Sequence, residues 1–137
     1  MNKHLTAAAF AAALITSPAL AQEMETYTPE QVTEAQTAIG AAELSDEAYL
    51  NLWCGAAFVI INQLMQARGM TDEGAQMVAM GDVVYQKAAT ELIGLGVNEA
   101  DFTALSQNFR IVAIAQTAEG AEADYTQEEC TAAAQVQ

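Results

Sequence analysis

Histidine is nearly absent from this 137-residue chain; the single one, His4, falls among its first residues. Without that residue the chain has no Ser-His-Asp or Cys-His catalysis, no His-ligated zinc and no His-ligated haem. Basic residues are scarce too: four Lys and Arg stand against 18 Asp and Glu, a formal net charge of −14. Nucleic acid and anionic membranes are bound by clustered Lys and Arg, so both are excluded as partners. There are two cysteines, with no C-x-x-C and no C-x-x-C-H, which removes the dithiol redox motif and covalent haem attachment. Gly94-Leu95-Gly96 lacks the third glycine and the preceding strand of a phosphate loop.

What is present begins with an export signal. Lys3 and His4 give a positive start, Ala7 to Ile15 is apolar, and Pro18 precedes Ala19-Leu20-Ala21, an A-x-A cleavage site. Cleavage after Ala21 is expected, leaving 22–137 as a single domain with no membrane span. No cysteine sits at the cleavage site to carry a lipid. The expected destination is the periplasm, with secretion as the alternative. The mature chain then sets 18 acids against Arg68, Lys87 and Arg110, a net −15. Such a charge suits solubility, or a basic partner.

The segment Tyr49 to Leu64 is the most apolar of the mature chain and holds the only tryptophan, Trp53. Leu50, Trp53, Ala57, Ile60, Ile61 and Leu64 share one arc at a helical period, with Asn51, Asn62 and Gln66 opposite. Cys54, Phe58 and Met65 widen the arc, which predicts cover from more than one neighbour. The continuous run from Leu52 to Ile61 is about half of what a bilayer needs.

Helix starts follow one grammar. Thr28-Pro29-Glu30-Gln31 and Thr126 with Glu129 read as capping boxes, and Ser45, Thr71 and Asn98 as further caps. Leu44 and Val97 hold the N′ staple positions before two of them. Gly69 is placed as a C′ glycine, Gly94 and Gly96 as the end of the third helix, and Gly40 as a fraying point in the first. The expected helices are 29–42, 46–68, 72–94, 99–117 and 127–135. The fold class is all-α: a small antiparallel bundle of four main helices plus a short C-terminal one. The third helix is expected to bury Met77, Val78, Gly81, Val84, Tyr85, Ala88 and Leu92, and the fourth Phe102, Leu105, Phe109, Val112 and Ala113.

Two cysteines in an exported chain pair, so Cys54 and Cys130 are expected to join the last helix to the central one. The acids in first helical turns suit the helix dipole and carry no catalytic pattern. Glu119, Glu122 and Asp124 crowd one loop, without the spacing of a calcium-binding EF-hand. Met65, Met70, Met77 and Met80 gather around one hairpin. Thioethers suit Cu(I), which makes these the candidate soft-metal ligands, set against the ordinary use of methionine as core filler. Met80, Val83, Ile111 and Ile114 lie off the main arcs and are the candidate interface of a weak homo-oligomer. No resident cofactor is expected.

In size, expected compartment and cysteine count the chain resembles small acid-stress chaperones of the periplasm. That resemblance implies a helical, disulfide-held, non-enzymatic protein. The expected role is binding or structural, through contacts with an unidentified protein partner. The alternative is a small ligand or metal, held by the methionine hairpin or by a pocket near Trp53.

Overall fold

The computed structural model describes residues 26–117 and 121–135; the expected signal segment 1–21 lies outside them. Five helices follow in order: α1 Pro29–Ala41, α2 Asp46–Ala67, α3 Thr71–Gly94, α4 Glu99–Gln116 and α5 Gln127–Ala133. There is no strand among the described residues. The bundle is the one expected, stapled as expected.

The starts form as the cap residues dictate. Thr28 and Thr126 make complete capping boxes with Gln31 and Glu129. Ser45 and Asn98 accept the N–H of Ala48 and Asp101. Each cap satisfies a helix donor that would otherwise lack a partner. Thr71 is a correction. It is the first residue of α3 rather than its cap, and Met70 before it offers no capping side chain. The reason lies in the preceding turn. Gly69 is left-handed (φ 76°) and its N–H reaches Gln66 O, while Met70 N–H reaches Met65 O. This Schellman closure reverses the chain within two residues, leaving no room for a separate cap.

The helix α2 lies at the centre, covered by α3, α4 and α5, while α1 packs on α4. Cover on several sides explains two departures from the single-arc reading. Asn51, expected to face water, is only 3 % exposed, and Leu52 is fully buried. By length and composition α2 could cross a membrane, but 67 % of the qualifying window is buried inside the bundle.

The third helix meets α2 along Gly74, Gly81, Val84, Ala88 and Leu92. The small residues bring the helices close: a Cβ at Gly55 of α2 would stand 3.0 Å from the Tyr85 ring. The seam is narrow, so Val78, expected in the core, is 44 % exposed, and Met77 and Tyr85 are only partly buried. Gly40 does not end α1, which continues to Ala41.

The seven-residue helix α5 is too short to persist alone. Three contacts hold it. Cys54 and Cys130 form a disulfide across 76 residues, with Cα atoms 5.3 Å apart. The Thr126–Glu129 capping box closes its start. Lys87 Nζ, from α3, donates to Ala133 O (2.5 Å) and Gln135 O (3.3 Å), placing a cation at the negative end of the helix. A loop of this length is worth about 4 kcal/mol in the chain-entropy description. Replacing Cys130 with Ser is therefore expected to lower stability by up to about that amount. Hydrogen exchange should rise first in 127–133, ahead of α2; uniform acceleration through the bundle would contradict the staple's local role.

Candidate functional site

An opening of about 760 Å³ lies at the end of the bundle where α1 passes to α2 and α3 passes to α4. Its construction follows from how the helices end. Leu95 caps α3; Gly96 is left-handed (φ 91°), its N–H reaching Ile93 O, and Val97 N–H reaches Leu92 O. This second Schellman motif joins Leu92 and Val97 across the turn, and both line the cleft. At the end of α1 the equivalent left-handed position is filled by Glu43 (φ 52°), whose N–H reaches Gly40 O. Glutamate there is strained where glycine would not be.

The floor is apolar and buried: Leu92 and Leu105. Leu44 and Val97 form half-buried walls. Ala38, Ala42 and Ala104 line it too, and side chains so short leave the space open. Leu95 stands at the mouth, 73 % exposed, and Ile93 in the same terminal turn is 61 % exposed. The polar lining is acidic. Glu43 and Asp101 are exposed and Glu91 is half-buried. Ser45 Oγ donates to Glu91 Oε2 (2.6 Å) while accepting the Ala48 N–H (3.0 Å), so the α2 cap also orients a carboxylate. None of Arg68, Lys87 and Arg110 lines this cleft.

A smaller opening of about 230 Å³ is lined by Tyr85, Ser106, Arg110 and neighbours from α2 and α4. Arg110 Nη2 donates to Gln63 Oε1 of α2 (3.0 Å). Burial pushes the Tyr85 phenol up, and the Arg110 charge partly offsets this.

The residues singled out in sequence fall elsewhere. Trp53, beside which a pocket was expected, is fully buried and lines neither of these two openings. Its Nε1–H donates to Gln116 Oε1 (2.8 Å), which also accepts the Asp124 N–H (3.0 Å). Tyr49 donates its hydroxyl to Asp124 Oδ2 (2.7 Å). The Tyr125 ring lies edge-on to Trp53 at 5.7 Å, and Tyr49 packs likewise on Phe109 at 4.9 Å. Asp124 is thus tied into the core; Glu119 lies outside the described residues. Met65, Met77 and Met80 are partly buried against the core, and Met70 is exposed at the turn. Of the expected interface residues, Ile114 is 7 % exposed, Met80 and Ile111 are partly buried against the core, and Val83 is half-buried. The large apolar side chains exposed among the described residues are Met70, Val78, Ile93 and Leu95, of which Leu95 lines the cleft.

Sequence reading missed the cleft because its parts carried other labels. Leu44 and Val97 read as staples, Leu105 and Leu92 as core, and Asp101 as a first-turn acid. The available signal was that both connections, 42–45 and 95–98, must meet at one end of an antiparallel bundle. No family model, curated protein or solved structure matches this chain.

The phenol network gives a pH dependence with a definite sign. Burial, then the hydrogen bond and charge of Asp124, hold the Tyr49 phenol well above its usual range. Burial, then Asp124, Asp46 and Glu129, raise Tyr125. A raised folded-state value means the stabilisation is complete below the unfolded value of about 10 and is lost as pH rises through the folded one. Stability is therefore expected to fall above about pH 10. Tyr49→Phe should lessen that fall while lowering stability near neutrality; an identical alkaline limb in the variant would contradict the assignment.

Proposed function

We propose that this is an exported, non-enzymatic helical protein that acts by binding another protein at the cleft end of its bundle. The observation that carries the reading is the apolar opening of about 760 Å³, continuous at its mouth with an exposed Leu95. A cleft of this size with an apolar floor and convergent polar groups has the character of a binding site. Exposed apolar side chains rimmed by polar ones mark contact surfaces. The periplasm is the proposed compartment, supported by the Cys54–Cys130 bridge, which persists where the surroundings are oxidising.

Binding rather than catalysis is supported by the chemistry at the cleft. Ser45 is engaged both as a helix cap and by Glu91, and residues 22–137 contain no histidine to act as its base. Carboxylates and aliphatic side chains hold a partner without activating a nucleophile.

A neutral solvatochromic dye such as Nile red tests the reading directly. The wild-type protein should bind it saturably with a blue-shifted emission. Ala104→Trp, which fills the cleft from an exposed position, should abolish binding with melting unchanged. Absence of saturable binding, or binding indifferent to Ala104→Trp, would overturn the proposal.

A further inference from the structure

Resting on that reading, we infer that the occupant of the cleft is a polypeptide segment that pairs apolar side chains with Lys or Arg. Two features specify it. The first is charge. The lining contributes Glu43, Glu91 and Asp101 and no basic side chain, within a chain of formal charge −14. An anionic or acidic occupant would meet repulsion on approach and at the mouth, whereas a basic one is steered in and held. Glu91 is aimed in advance by Ser45, so its share of that attraction requires little ordering.

The second feature is extent. Apolar surface does not stop at the cleft wall: Leu95, at the end of α3, lines the cleft and is 73 % exposed, carrying it out into solvent. A small organic cation filling the cleft would leave the outer part of Leu95 in water. A chain segment can place one side chain on the Leu92–Leu105 floor, lay another over Leu95, and set its cations against the carboxylates.

Glu43 separates binding from folding. As a left-handed residue it is replaced by glycine with a gain in stability, yet it contributes one of the three rim charges. Glu43→Gly should therefore raise the melting temperature and weaken the contact. Few substitutions move those two readouts in opposite directions.

The probe is a fluorescein-labelled decapeptide of leucine pairs separated by lysines, followed by anisotropy with the full, disulfide-bonded protein. Saturable one-to-one binding is expected, weakening as salt rises. Glu43→Gly and Asp101→Asn should each raise Kd about three- to tenfold, and Ala104→Trp should abolish binding. Peptides with Lys changed to Glu, or Leu changed to Ser, should not bind. The inference is overturned by salt-independent binding, or by affinity unchanged in Glu43→Gly. It is overturned equally if phenylbutylamine binds as tightly as the peptide, which would make the occupant a small cation. If the peptide fails while Nile red still binds, the occupant is wrong and the cleft stands; if both fail, the proposed function falls with it.

Discussion

The burial of α2 on three sides is the constraint from which the remaining architecture follows. A helix whose Leu52, Trp53, Cys54, Ala56, Ala57 and Phe58 are all inside cannot be satisfied by one neighbour. It recruits α3 through close glycine contacts, α4 through the aromatic and aliphatic seam, and α5 through a covalent bond. Each aliphatic or aromatic side chain withdrawn from water this way is worth about 1.5–3 kcal/mol, so α2 supplies much of the core's stabilisation. The Trp53 indole N–H is satisfied by Gln116, and no buried side-chain nitrogen or oxygen among the described residues lacks a partner.

The cleft is a by-product of the same arrangement. α3 lies against α2 and α1 against α4, and the cleft opens at the end where the connections 42–45 and 95–98 lie. Alanines at 38, 42 and 104 do not fill the gap. A residue such as Leu at 104 would close it, and the strained Glu43 could be a glycine at no cost to the turn. Glu43 at this end therefore favours an acidic mouth over the stability of the turn. That is expected where sequence serves binding rather than folding.

Much of the fold was legible before any coordinates. The caps at Thr28, Ser45, Asn98 and Thr126, the stop at Gly69 and the Cys54–Cys130 bridge are local or combinatorial signals, and each formed. Failures came where tertiary context decides. Asn51 reads as solvent-facing by period, but α2 has no solvent face at that level. Val78 reads as core, but glycine seams are narrower than the arc of a helical wheel. Ile114 reads as an offset surface residue, yet α4 has both α1 and α2 as neighbours. The cleft was not legible, because it depends on which helices pair, and α1 pairs with α4 rather than with its neighbour in sequence.

The most direct test of the central claim is amide chemical-shift mapping of the folded protein during titration with the leucine–lysine peptide. The expected result is a perturbed cluster at Glu43, Leu44, Leu92, Leu95, Val97 and Leu105. The opposite end of the bundle, at Gly69 and Met70, should stay still. Perturbations centred on Met70 and Val78, or spread evenly over the surface, would contradict the claim that this protein binds through the acid-rimmed end of its bundle.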